Sequence, residues 1–510
     1  MKNKNIFLLI LIIILSVSCT KKEKFDPAQI TIGLEGSPSI FDPRLATDAY
    51  SSRINALLYN GLVKVDENSD IKPDIAKSWK VKDKSIIFTL RKNVKFYSGK
   101  ELTAEDVKYT LESVFKMPSP FKNSLKEIEK ITILDKYNIK IDLKKIFAPI
   151  FTALTIGIVP KDSGDLSLSP KGTGPYKLEK FIRGNKVILT VNNNFFKKQP
   201  HIKKIIFKII PNDTTRVMEI KKGSIDFLQN SVPPDALEEL KKDKTLTVII
   251  KDGVNVSYLG FNLQDPILKN SEVRKAIAYS INKKEIIDYM MKGLASDANS
   301  IIAQNNWAYW NEKKYYDFNP EKAKQILDKA GFVDPDGDGP QPRFTLEFKT
   351  STNKVRKRIA EVIASQLKKV GINLTVRSYE FGTFFADIKA GNFQLYSLTW
   401  VGIIDPDILY YVFSSKSLPP QGANRGHYIN NEVDKLLEAS RQTMDMQKRI
   451  NIYKKVQNIL FNELPVYPLW YHKNIVVYKK DLKNFKILPG GEYTSLESAY
   501  REPAKLIINK

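Results

Sequence analysis

Residues 344–348, Phe344-Thr345-Leu346-Glu347-Phe348, alternate apolar and polar side chains with the period of two that a half-buried strand requires. Val355, Ile359, Val362, Ile363, Leu367 and Val370 then recur at helical spacing, and Gly371 stops the stripe. Ile372, Leu374 and Val376 return to alternation, so the stretch reads strand–helix–strand, a βαβ unit. Just upstream, Asn319-Pro320 places a capping residue before a proline at the first helical position. Ala323, Ile326, Leu327 and Ala330 follow on one face, and Gly331 ends that helix. The alternation of strand and helix sets the fold class as α/β.

Moving toward the N-terminus, Ser271 is expected to cap a helix through Val273, Ile277 and Ile281, and Asp213 to start one that Gly223 ends. Strands are expected over 30–32, 85–90, 131–143, 186–191 and 202–210. Thr103 and Asp106 form a capping box, Leu102 can staple onto Val107, and Val107, Leu111 and Val114 share a face. A chain of 510 residues exceeds what one core usually serves, so two or three lobes are expected. No internal repeat or low-complexity linker separates them. Short crossing segments must join the lobes, which suits hinge closure around a ligand.

At the N-terminus, Lys2 and Lys4 precede an apolar run over residues 6–15. That run is shorter than the roughly 20 residues a membrane-spanning helix needs, but it suits a signal peptide. Leu15-Ser16-Val17-Ser18-Cys19 resembles a bacterial lipobox, with Ser16 where leucine is usual. Cys19 is the only cysteine in the chain, so no internal disulfide can form, and lipid attachment gives the thiol a role. Residues 1–18 are thus expected to leave as a signal peptide and 19–27, polar and lysine-rich, to act as a tether. A membrane contact through the lipid follows, on the extracytoplasmic side.

The net charge of +25 is spread along the chain, without the basic stripe and interleaved aromatics of a nucleic-acid binder. The three histidines, His201, His427 and His472, have no ligand spacing, so no protein-built metal site is expected, and no cofactor. Residues 334–339 mimic the start of a calcium loop, but Thr345 stands where the bidentate glutamate belongs, and the segment reads as an acidic turn. No Gly-x-Ser-x-Gly elbow or His-Glu-x-x-His is present, and Ser98-Gly99-Lys100-Glu101 falls short of a phosphate-binding loop. The chain does not read as an enzyme.

Several blocks resemble one family, the bacterial extracellular solute-binding proteins of the oligopeptide, dipeptide and nickel transporters (family 5). They are Ala76-Lys77-Ser78-Trp79 with Leu102-Thr103-Ala104-Glu105-Asp106-Val107; Gly172-Thr173-Gly174-Pro175-Tyr176; and Asn262 with Val273-Arg274-Lys275-Ala276-Ile277. Phe318-Asn319-Pro320-Glu321-Lys322-Ala323, Asn430-Asn431-Glu432-Val433-Asp434 and Leu464-Pro465-Val466-Tyr467-Pro468-Leu469 complete the set, in family order.

The resemblance implies a type II periplasmic-binding-protein-like fold with two lobes, an extra subdomain in the N-terminal lobe and a ligand cleft between the lobes. Lobe I would comprise 28–45, 170–258 and 480–510, the extra subdomain 46–169, and lobe II 259–479. It also implies a monomer that captures a peptide or other small solute and passes it to an ABC permease with its ATPase subunits. Peptide-binding members grip the ligand's free amine with an aspartate shortly after a tryptophan. Here Trp400 is present, Ile403 stands near the aspartate's place, and Asp405 follows. Trp400, Asp405, Arg425, Trp307, Tyr309 and Asn262 are the expected ligand-binding residues; Arg425 reads equally as a bidentate partner of a carboxylate or as a solvated surface arginine, and Asp405 either meets the ligand or positions its loop.

Overall fold

The strand–helix–strand stretch folds as its pattern requires. The computed structural model describes residues 26–312, 315–337 and 339–502, so Cys19, the signal peptide and most of the tether lie outside the described residues. Strands Phe344–Ser351 and Ile372–Tyr379 run parallel, with Phe344 opposite Ile372 and Ser351 opposite Tyr379. Helix Lys354–Lys368 crosses between them, and the Asn353 side chain caps it by accepting from the Arg356 backbone N–H. Its buried Ala360, Ile363 and Leu367 belong to one apolar core with Leu346, Phe348, Ile372 and Leu374.

The helix starts follow the local chemistry. Asn319 caps Pro320–Lys329 by accepting from Lys322 N. The capping box at Thr103 forms, with Thr103 N donating to Asp106 at 2.9 Å. Ser271 does not cap: Asn270 does, its side chain accepting from Glu272 N, and Ser271 becomes the first helical residue. Asparagine and serine cap about equally well, so the residue whose backbone is still extended takes the position.

One continuous sheet of eleven strands serves both lobes. On the lobe II side lie Ile372–Tyr379, Phe344–Ser351 and Leu395–Trp400. On the lobe I side lie Phe227–Gln229, Gln29–Leu34 and Lys204–Ile209, all parallel, followed by Lys186–Val191 and Tyr176–Ile182, antiparallel. Between the two sets run the long antiparallel strands Leu246–Phe261 and Val466–Lys479. Each is long because it crosses from one lobe to the other.

Their pairing slips midway, leaving register at Asp252 opposite Lys473 and resuming at Val256 opposite Tyr471. Gly253 sits in this irregularity, where a Cβ would lie 2.6 Å from the His472 carbonyl oxygen, so the backbones can approach only at glycine. A separate four-stranded sheet, ordered Ala76–Lys82, Ser85–Leu90, Asn138–Leu143, Ile128–Asp135, forms the extra subdomain with helix Ala104–Ser113. Its own core includes Phe88, Val107, Leu111, Ile141 and Phe147.

The two lobes use the same device to fix a helix to its neighbouring loops. Arg216, fully buried in lobe I, donates to the carbonyls of Ile210, Pro211 and Ser231. Arg274, buried in lobe II, donates to those of Leu268, Lys269 and Leu464. In each case one guanidinium satisfies several backbone acceptors that would otherwise be costly to bury.

Candidate functional site: the cleft between the lobes

The parallel strands of both lobes end at the middle of the two long strands. Trp400, at the end of Leu395–Trp400, pairs with Val256, which pairs with Tyr471. Gln229, at the end of Phe227–Gln229, pairs with Val476. Carboxyl ends of parallel strands that converge on a crevice are where α/β folds place ligands, and here they converge beside the slipped register at Gly253.

On the lobe II side the floor of this crevice is a chain of neutral polar groups across three strands. Ser257 Oγ lies 2.8 Å from Thr399 Oγ1 and 2.7 Å from His472 Nε2. Burial, with the Arg356 charge nearby, pushes the His472 imidazole down to about 4, so it is uncharged at neutral pH. Arg356 stands in the first turn of helix Lys354–Lys368 and is partly buried. Burial alone draws its pKa down from the ordinary arginine value, and the guanidinium, still charged at neutral pH, forms no ion pair among the described residues. A partly desolvated cation beside a neutral hydroxyl–imidazole chain is equipped to receive an anionic group.

On the lobe I side, the Asn230 amide donates to Asn474 Oδ1 at 2.9 Å and accepts from Ile475 N, tying the end of its strand to the crossover. Gln229 donates to the Gly491 carbonyl at 2.8 Å, and the Tyr50 hydroxyl donates to Glu35 at 2.6 Å. Burial pushes the Glu492 carboxyl up, against the pull of Arg53.

Trp400 is stacked on Tyr258 at 5.8 Å with rings 8° from parallel. Arg425 lies 5.0 Å from the Trp400 ring and 5.3 Å from that of Phe385, and donates to the Tyr258 hydroxyl at 2.9 Å. At 8% exposure Arg425 is no surface arginine; it clamps the Trp400 indole from a buried position. Ile403, 5% exposed, packs in an apolar cluster with Val256 and Leu409.

Asp405 is engaged by the protein itself. It accepts from the Thr152 hydroxyl and from Asp407 N, both at 2.8 Å, and lies 3.7 Å from Arg449. Asp407 pairs with Arg441 at 2.8 and 3.1 Å. Burial, reinforced by the neighbouring Asp405 charge, outweighs that attraction and pushes Asp407 up to about 7.

Of the other expected residues, Trp307 lies under Arg449 at 5.0 Å and edge-on to Tyr453, so it reaches Asp405 only through that arginine. The Tyr309 hydroxyl donates to Asn299 at 3.2 Å. Asn262, just past the end of strand Leu246–Phe261 remote from the crevice, donates to the Phe393 carbonyl at 2.9 Å. Trp400 and Arg425 are thus brought together, Asp405 and Trp307 are linked, Tyr309 packs on the same apolar cluster as Trp307 and Trp400, and Asn262 stands apart.

Arg356, His472, Ser257 and Thr399 escaped the sequence reading. The available signal was positional: Arg356 falls in the first turn after a strand's carboxyl end, and His472 interrupts the apolar run of a long strand.

The sequence profile of the bacterial extracellular solute-binding proteins, family 5 (middle), matches residues 70–419. A dipeptide-binding protein of Escherichia coli (strain K12) is 26% identical over 501 residues, spanning 90% of this chain and 92% of its own. Among solved structures, the oligopeptide-binding protein AppA of Bacillus subtilis, in complex with a nonapeptide, superposes with a TM-score of 0.78 at 25% identity. The match covers 93% of this chain and 99% of that one. NikZ of Campylobacter jejuni, in complex with Ni(L-His), superposes with a TM-score of 0.79 at 27% identity, covering 94% and 100%. Among the described residues no helix is long and apolar enough to cross a membrane, and no group of three metal-binding side chains occurs. With the two-lobed sheet and its crevice, these matches make the chain a solute-binding protein, not an enzyme, and a member of the bacterial extracellular solute-binding proteins of family 5.

Proposed function

We propose that the chain is the capture component of an ABC importer. It takes a peptide-like solute with a free carboxylate into the cleft, closes about the slipped register at Gly253, and presents the closed form to a permease. Cys19 holds it to the membrane by a lipid, with residues 46–169 as the extra subdomain between the segments of lobe I. The observation that carries the ligand class is Arg356, a partly buried cation without an ion pair among the described residues, beside the neutral His472–Ser257–Thr399 chain. A ligand carboxylate would supply the missing charge through paired hydrogen bonds. Ile403, buried and apolar, leaves no carboxylate there for a ligand amine, so the carboxyl end of the solute carries the recognition. The ligand drives closure through its higher affinity for the state in which both lobes touch it.

Calorimetric titration with tri-alanine, its C-terminal amide and its N-acetyl derivative tests this reading. Tri-alanine and the acetyl derivative are expected to bind alike, and the amide to lose most of its affinity. Equal binding of all three, or loss confined to the acetyl derivative, would contradict it.

A further inference from the structure

Lobe II is touched at the rim of the cleft by the extra subdomain, far along the chain from the hinge strands. Thr152 donates to Asp405 at 2.8 Å, and Ala148 N donates to the Arg441 carbonyl at 2.8 Å. The Arg441 guanidinium lies 5.0 Å from the Phe147 ring, and Lys145 stands 3.7 Å from Glu438. All four subdomain residues fall in 145–152, anchored by the buried side chains of Phe147 and Ile150. Their three partners, Asp405, Glu438 and Arg441, lie in the loop after Trp400 and the helix Asn431–Arg441.

We infer that this contact is a clasp: residues 145–152 of the extra subdomain seize the Asp405–Arg441 rim of lobe II and hold the cleft closed. The inference rests on capture by closure. The loop over residues 401–407 follows Trp400 at the cleft end, where it carries Ile403, and carries Asp405 and Asp407 at the clasp end. A solute that orders one end of this loop therefore orders the other, and the clasp adds to closure without touching the solute. Thr152 and Arg441 are positioning residues in this scheme. Asp405 accepts from Thr152 and from Asp407 N, which orients its carboxylate toward the clasp.

Glu438 provides an internal gauge, since it faces Lys145 across the rim at 3.7 Å and Lys416 within lobe II at 3.1 Å. Zero-length carbodiimide cross-linking of the intact chain, read by mass spectrometry, gives the ratio of the 145–438 to the 416–438 link. In the unaltered chain both links are expected without added solute. Thr152→Val, which removes the hydroxyl from Asp405, should lower the ratio severalfold, and Thr152→Ser, which keeps a hydroxyl, should restore it.

Failure to find the 145–438 link while 416–438 forms, or an unchanged ratio in Thr152→Val, would overturn the clasp. Should Thr152→Val not fold, Thr152→Ala, which also removes the hydroxyl, read by the same ratio gives the same decision. Saturating tri-alanine should raise the ratio. If that arm alone fails while Thr152→Val behaves as expected, the peptide reading is at fault and the clasp stands.

Discussion

The two ends of the cleft's lobe II wall are built from opposite chemistry. At the hinge, Ser257, Thr399 and neutral His472 form an uncharged chain with Arg356 as its cation. At the rim, Asp405 and Asp407 face Arg441, Arg449 and the Thr152 hydroxyl, so each charge already has a partner within the protein. A side chain whose hydrogen bonds are satisfied internally has little to offer a solute, whereas a partly buried cation without a counter-charge gains by binding one. The difference separates recognition, which we place at the hinge, from closure, which we place at the rim.

The largest effect should come from removing the hinge cation. Arg356→Ala is expected to weaken tri-alanine binding by about tenfold or more, the value of a charge-assisted hydrogen bond, with the thermal unfolding midpoint little changed. Because the carboxylate's partner is gone, the variant should no longer distinguish tri-alanine from its amide. Unchanged affinity in calorimetry would move recognition away from the hinge.

Next comes the crossover that both ends depend on. Gly253→Ala would place a Cβ 2.6 Å from the His472 carbonyl oxygen. It should destabilise the chain by about 1–3 kcal/mol through overpacking, measured by denaturant unfolding. A neutral result would mean the two long strands can part there without cost.

The pH slopes should have opposite signs at the two ends. His472 is depressed to about 4 in the folded chain against roughly 6.5 when unfolded. The unfolded state then binds more protons, so this group's stability is present above about pH 6.5 and lost as pH falls toward 4. Asp407 is raised to about 7 against roughly 3.9 unfolded. Its contribution is present below about pH 4 and lost as pH rises through 7. His472→Gln should therefore flatten the acid side of the stability profile, and Asp407→Asn the decline toward neutral pH. Both are read from denaturant midpoints across pH 4–8; slopes of the same sign would remove the contrast.

Much of the fold was legible because its signals are local. The stripe from Val355 to Leu367, the Asn319-Pro320 start and the Thr103–Asp106 box each act within a few residues. The site was less legible because its geometry is made by contacts far apart in sequence. Arg425 read equally well as a solvated arginine or a carboxylate anchor, and only the packing with Trp400, Tyr258 and Phe385 shows it buried. Asp405 differs in the same way, since its Thr152 partner is supplied from the extra subdomain. Arg274 lies between these cases: its block and that of Leu464-Pro465 are far apart in sequence, yet the guanidinium donates to the Leu464 carbonyl. The slip at Gly253 carried no sequence signal beyond a glycine in a β-rich run, because register between two strands depends on both.

Native mass spectrometry of the protein purified from its own host, followed by identification of what is released on unfolding, tests capture most directly. One small solute per chain is expected, peptide-like and bearing a free carboxylate. Recovery of a neutral sugar, or of a solute without an anionic group, would contradict it.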